Sequence, residues 1–146
     1  MEMIPKPEQI VDPEFLNIPF KLGGRNIKEG VDCVGIMYCY LKKKGVTIPH
    51  TDGMPVSEDW REATPDRYDD AMQKILPRYG KLIIGFNQLK ANDIIAFSID
   101  KKKVAQAAVY IGKGYFLHIE EGKKSELIQL TERHKKLFFF AIRIKE

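Results

Sequence analysis

Every segment of this chain that reads as a β-strand lies in its second half, behind a first half that reads as helix and loop. Asp93 to Ile99 (DIIAFSI), Val104 to Ile111 (VAQAAVYI), Tyr115 to Ile119 (YFLHI), Leu127 to Leu130 and Leu137 to Ile144 (LFFFAIRI) are short runs rich in apolar, β-branched and aromatic residues. Gly112-Lys113-Gly114 turns the second run into the third. Links this short join antiparallel strands, because a parallel pair needs a crossover of a dozen or more residues. The order predicts an α+β fold, with N-terminal helices packed on a central antiparallel sheet of about five strands.

The first half is less regular. Residues Met1 to Pro19 are broken by prolines and are expected to wrap the surface, with a short helical piece near Pro13 to Leu16. Lys21 to Gly30 (KLGGRNIKEG) reads as a glycine-rich loop. A helix is expected from Cys33 to Lys44. Asp32 supplies its N-cap, Ile36, Met37, Tyr40 and Leu41 its apolar stripe, and Gly45 its stop. Ile48 to Trp60 reads as a long loop, followed by a helix from Pro65 to about Leu76 with Tyr68, Met72 and Ile75 facing inward.

At 146 residues the chain is long enough for one domain with a real core, taken as residues 1–146. No apolar run approaches the length needed to cross a bilayer, so no membrane partner is expected. The N-terminus, MEMIPKPEQIVDPEF, carries acids and prolines where a signal peptide carries an apolar run. The expectation is a chain that stays in the cytoplasm when expressed. The net charge of +4 comes with lysine runs at Lys42 to Lys44, Lys101 to Lys103, Lys123-Lys124 and Lys135-Lys136. Such runs suit an anionic partner, or they are solvated turns and helix ends. They fall at element boundaries without interleaved arginines and aromatics, so a basic nucleic-acid-binding domain rests on charge alone.

The two cysteines, Cys33 and Cys39, lie six residues apart on one predicted helix, about 9 Å of rise and on different faces, so they cannot bridge each other. Cys39 reads as a small core residue. No Cys or His spacing suggests a metal, and neither a metal nor a cofactor is expected. Cys33 is the candidate for chemistry. A thiol in the first turn of a helix meets free backbone amides and the positive end of the dipole, which favour the reactive thiolate. The same amides can donate to an oxyanion forming at an attacked carbonyl.

Three motifs in order then carry a resemblance. Ile18-Pro19-Phe20, Gly23-Gly24 and Asp32-Cys33-x-Gly35 resemble the entry to the active site in the NlpC family of papain-like cysteine peptidases, which cut bacterial cell-wall peptides. Leu89-Lys90-Ala91-Asn92-Asp93-Ile94-Ile95-Ala96-Phe97 resembles the family strand that begins Leu-x-Pro-Gly-Asp. Val109-Tyr110-Ile111-Gly112 with Phe116-Leu117-His118 resembles its H-x-G-x-Y-x-G strand and the next strand's Phe-x-His. A finer likeness, to the phage-tail branch, rests on Gly24-Arg25-Asn26, on valine after the cysteine, on Glu58-Asp59-Trp60 and on His118-x-x-x-Gly122-x-x-Ser125. The resemblance implies a papain-like NlpC fold, Cys33 as nucleophile, peptidoglycan stem peptides as substrate, and phage tail-tip proteins as partners, with the virion as a second location.

The chain departs from that pattern at the base. Four residues before Tyr110, where the family has its general-base histidine, stands Gln106, and the orienting position twelve residues later is His118. A glutamine amide cannot take a proton from a thiol. The family tyrosine whose hydroxyl assists the oxyanion hole is matched here by Phe20 or Lys21, neither of which is a phenol. His50 falls in a loop that flanks the cleft in the family, or is a solvent-facing loop residue. Trp60 either lines the groove or anchors packing. His134, between Arg133 and two lysines, reads as surface. Three readings are open: a thiol endopeptidase or amidase with His118 as an unusual base, a weakened or inactive structural or wall-binding relative in a tail tip, and the basic nucleic-acid binder.

Overall fold

The computed structural model describes residues 6–48 and 71–145. The predicted positions His50 and Trp60, and the start of the helix predicted from Pro65, lie outside the described residues.

The chain opens with a short helix, α1 (Pro7–Ile10), and a 3-10 turn (Pro13–Phe15). Two short strands, β1 (Arg25–Asn26) and β2 (Gly30–Val31), form a small antiparallel ribbon leading into helix α2 (Cys33–Lys43). After residue 70 come a π-type turn (Ala71–Ile75) and a 3-10 turn (Leu76–Tyr79). Strands β3 (Gly80–Ile83), β4 (Ile94–Phe97), β5 (Gln106–Gly112), β6 (Tyr115–His118) and β7 (Glu126–Gln129) follow. Helix α3 (Glu132–Leu137) and strand β8 (Phe138–Ile144) close the chain. The main sheet has six strands in the order β3-β8-β4-β5-β6-β7, with every pair antiparallel. The α+β expectation holds.

Alternation along the central strands gives the sheet two apolar faces. On one face Ile94, Ala96, Ala107, Val109, Leu117 and Ile142 meet Val34, Ile36, Met37 and Leu41 of α2 in the main core. On the other, Ile95, Phe97, Ala108, Phe116 and Phe138 form a second, smaller cluster. The sequence stripe on α2 is buried as expected, and the helix ends one residue early, with Gly45 following in a left-handed conformation at φ 82°.

Several expectations change. The N-terminal segment does not merely wrap the surface: Val11, Phe15 and Ile18 belong to the main core, with the Phe15 ring edge-on to Tyr40 at 5.2 Å. Ser125 Oγ secures it by accepting from the Ile18 amide at 2.8 Å and donating to the Phe15 carbonyl at 2.7 Å. The sheet has six strands rather than about five because β3 is an edge strand, and Lys81 and Leu82 in it are exposed. Such a strand carries little alternation to read. Helix α3 buries no residue and so has no apolar stripe. The described end of the second predicted helix is a π turn followed by a 3-10 turn, which buries Met72 as expected.

Candidate active site

The site is built at the entrance to α2. Asp32 stands in extended conformation as its N-cap, with no exposed surface. One carboxylate oxygen accepts from the Gly35 amide at 2.8 Å and from the Arg25 guanidinium at 2.7 Å. The other accepts from the Gly23 amide at 2.8 Å. A single buried carboxylate thus ties the glycine-rich loop to the first turn of the helix that bears Cys33. Arg25 also donates to the Gly24 carbonyl at 2.8 Å.

The contact is close enough to need glycine. A Cβ added to Gly35 would lie 2.0 Å from the Gly24 carbonyl oxygen, and one added to Gly24 would lie 2.2 Å from the Gly30 oxygen. Phe20, immediately before that loop, bridges to Val31 beside the helix start.

Cys33, half-buried, lines a cavity of about 170 Å³ with Phe20, Val104, Ala105, Gln106, Ala107, Ile119, Glu120 and Glu121. The lining is largely apolar, with two carboxylates and the Gln106 amide as its polar side chains apart from the thiol. Gln106 opens β5 directly after Val104 and Ala105, so the cavity reaches around the strand's N-terminal end. That placement matters because Gln106 pairs with Phe97 and alternates with Ala107, which puts its side chain on the sheet face away from α2. The strand's end lets a residue of that face share a cavity with Cys33.

His118 does not line the cavity. It lies behind Gln106, 3% exposed, on the same sheet face, with its ring edge-on to Phe116 at 5.4 Å. The Gln106 side-chain amide is hydrogen-bonded to His118 Nδ1. The same Gln106 nitrogen lies 3.4 Å from Glu120 Oε1. A carboxylate only accepts, so the atom facing it is the amide NH2, and His118 Nδ1 is the acceptor of the other hydrogen. A neutral imidazole of that tautomer carries its proton on Nε2, which faces Glu126 Oε1 at 3.3 Å. Glu126 stands directly across the β6–β7 ladder from His118. Burial holds the His118 pKa below the ordinary histidine value, and the Glu126 carboxylate partly offsets it. Lys123 pairs with Glu120 at 3.1 Å on the outer side.

Of the sequence-predicted residues, the structure brings Phe20, Cys33 and Gln106 into one cavity and puts His118 in contact with Gln106. Asp32 lies beneath the site as a saturated buried carboxylate. Lys21 is on the outside, 3.6 Å from Glu29. His134, read as surface, is partly exposed, and its ring also packs 5.1 Å from Phe116 and 5.8 Å from Phe97. Cys39 is half-buried rather than fully in the core. Its thiol donates to the Arg25 carbonyl at 3.3 Å, and burial pushes its pKa up. Sequence reasoning missed Arg25, Glu120 and Glu126 as site residues. Glu120 was within reach of it, two residues after His118 and so on the same strand face if the strand continues. Glu126 needed the β6–β7 register, which the intervening loop hides.

Chemically, the cavity joins a thiol at a helix N-terminus to an amide that neither gives nor takes protons near neutral pH. Both ring nitrogens of the nearest described histidine are engaged. Among the described residues no group of acids, histidines and cysteines could hold a metal.

Known proteins agree on the fold. An NlpC/P60 family protein from Bacillus cereus superposes with a TM-score of 0.61 at 24% identity, covering 96% of this chain and 40% of that one. The chain thus spans well under half the length of that relative. The NlpC/p60 domain of the peptidoglycan hydrolase SagA superposes with a TM-score of 0.55 at 20% identity, covering 95% of this chain and 99% of that one. RipD from Mycobacterium tuberculosis, described as a non-catalytic NlpC/p60 domain protein adapted to peptidoglycan binding, gives 0.52 at 15% identity, covering 97% and 100%. No curated protein matches by sequence. The NlpC/P60 family model matches residues 17–143, from the segment before the glycine-rich loop to the last strand, and the chain belongs to the NlpC/P60 family.

Proposed function

We propose that this chain is a peptidoglycan stem-peptide-binding domain in which hydrolysis by Cys33 is weakened or lost. One observation carries the reading: the base position is Gln106, and its amide is hydrogen-bonded to His118. A working thiol hydrolase needs a group that takes the thiol proton and later protonates the leaving amine. Gln106 can do neither, and His118 has Nδ1 occupied by Gln106 and Nε2 facing Glu126. What the cavity keeps is a binding surface: Phe20, Val104 and Ile119 for apolar contact, with polar groups at Gln106, Glu120 and Glu121. RipD is a relative of the same fold with a described binding role, which makes retention of binding without cleavage a reasonable outcome for this architecture.

We further read the chain as a component of a phage or prophage tail tip, reaching the wall with the virion and otherwise remaining in the cytoplasm. The support is the likeness of Gly24-Arg25-Asn26 through Gly35 to that branch, in a stretch where Arg25 makes a buried ion pair to Asp32.

The test is to mix the purified chain with defined stem peptides and follow binding by calorimetry and cleavage by mass spectrometry. Binding without turnover supports the proposal. Efficient cleavage that disappears in Cys33→Ala would instead establish the hydrolase, and no binding to any stem peptide would remove both.

A further inference from the structure

The side chain that disables the base has one hydrogen-bonding atom to spare. Both hydrogens of the Gln106 amide are engaged by the protein, one by the buried His118 Nδ1 and one directed toward Glu120 at the cavity wall. Its carbonyl oxygen has no partner among the described residues, and the residue lines the cavity that holds Cys33. A half-buried acceptor that faces a cavity takes its hydrogen bond from water or from a donor on whatever binds there.

The orientation is enforced from both sides. His118 is 3% exposed, so both its ring nitrogens need partners inside the protein. Glu126 accepts only, which selects the tautomer with the proton on Nε2 and leaves Nδ1 as an acceptor for the amide NH2. Glu120 also accepts only, and repels the carbonyl end of the amide. Turning the amide over would set its carbonyl against both the lone pair of Nδ1 and the Glu120 carboxylate.

We propose that Gln106 is a specificity residue of this cleft, its carbonyl oxygen held toward the ligand by His118, Glu120 and Glu126 to accept an N–H from the bound peptide. The inference rests on the stem-peptide reading for its ligand. Glu120 and Glu126 are positioning residues in it, acting through the amide and the imidazole. The replaced base thus becomes a reader of a backbone amide or amine beside the thiol, and a group that could only accept at that point would be rejected.

Two measurements decide it. The first needs no ligand: two-bond proton–nitrogen NMR correlations of His118 at pH 7.5. The wild type should show the Nε2–H tautomer, and Glu120→Ala/Glu126→Ala should populate Nδ1–H as the amide turns over. Both glutamates are substantially exposed, so the variants should fold. Glu126→Gln, whose amide oxygen still accepts, should keep the wild-type tautomer. An Nδ1–H tautomer in the wild type, or no change in the double variant, overturns the proposed orientation.

The second is calorimetry in a Cys33→Ala background, which excludes turnover. The probes are a synthetic stem tetrapeptide and analogues in which each amide N–H in turn is replaced by an ester oxygen. One analogue should bind roughly two- to tenfold more weakly, the worth of one hydrogen bond. That penalty should vanish in Gln106→Met, which keeps the side-chain length and removes the acceptor. Equal binding of all analogues, or a penalty that persists in Gln106→Met, overturns the proposal. If no stem peptide binds at all, the stem-peptide reading and its ligand fall together, while the NMR result still decides the orientation of the amide.

Discussion

Asp32, with no surface exposed to water, holds the Arg25 guanidinium at 2.7 Å while capping α2 through the Gly35 amide at 2.8 Å. A helix cap and a loop anchor are therefore the same carboxylate. The position of Cys33 depends on it without Asp32 reaching the cavity itself.

Asp32→Ala should be among the most damaging substitutions in the chain. It takes the carboxylate away from the Arg25 guanidinium, which is 14% exposed, and leaves the amides of Gly23 and Gly35 without this acceptor. Breaking one side of a buried pair costs about 3–5 kcal/mol. Urea unfolding should report a loss of that order. Asp32→Asn, which can still accept, should lose less. A loss under about 1 kcal/mol for Asp32→Ala would mean that water enters and replaces the carboxylate.

Gly35→Ala tests the close approach of loop and helix. In an open helix alanine would be favoured over glycine by about 0.5–1 kcal/mol. Here the new Cβ would sit 2.0 Å from the Gly24 carbonyl oxygen, a backbone atom that cannot rotate away. Overpacking of this kind costs about 1–3 kcal/mol, so the net change should be destabilising. A raised melting temperature would show that the loop moves aside freely.

Stability should depend on pH through the histidines. Burial lowers the folded-state pKa of both His118 and His134 below the unfolded value near 6.5. Each lowered group lets the unfolded chain bind more protons over the interval between its two pKa values. Their contribution is therefore complete above about pH 6.5 and is lost as pH falls through the folded values. Denaturation midpoints at pH 7.5 should exceed those at pH 5.5, and His118→Gln should reduce the difference. A midpoint that rises on acidification would mean that Glu126 outweighs burial and that His118 is charged in the folded protein.

How far the sequence reveals such features depends on where each signal resides. Helix α2 was legible to within a residue because its cap, stripe and stop are all local: Asp32, Ile36 to Leu41, and Gly45. The central strands were legible because they are buried on both sides and read as unbroken apolar runs. Strand β3 and helix α3 lack that signal, since their exposed residues are fixed by neighbours rather than by their own periodicity. In the site, Cys33, Gln106 and His118 could be picked out by motif and spacing, and the contact of Gln106 with His118 follows from strand alternation, whereas the cavity shared by Gln106 and Cys33 depends on where the strand begins. The arrangement of Glu120 and Glu126 around them could not. It depends on the register across the loop between β6 and β7 and on which hydrogens the amide has left.

The sharpest test of the proposed loss of hydrolysis is Gln106→His. The new imidazole would take the place of the Gln106 amide, in the cavity that holds Cys33 and in reach of His118. His118 Nδ1, which now accepts from that amide, could accept from the imidazole instead and orient it. A general base contributes about 10²–10⁴-fold, so turnover of a stem peptide should rise from near background into a range that mass spectrometry detects. Phe20 lines the cavity without a hydroxyl, and one missing oxyanion donor can cost about 10²–10³ in rate, which caps the gain. Adding Cys33→Ala should abolish whatever appears. The same variant removes the amide carbonyl, so its binding of the parent peptide should weaken even as its turnover rises. If Gln106→His turns over no faster than the natural protein while Cys33 still reacts with alkylating agents, the missing base is not what silences the thiol. If the natural protein cleaves efficiently and the histidine slows it, Gln106 belongs to a working mechanism and the binding-only reading fails.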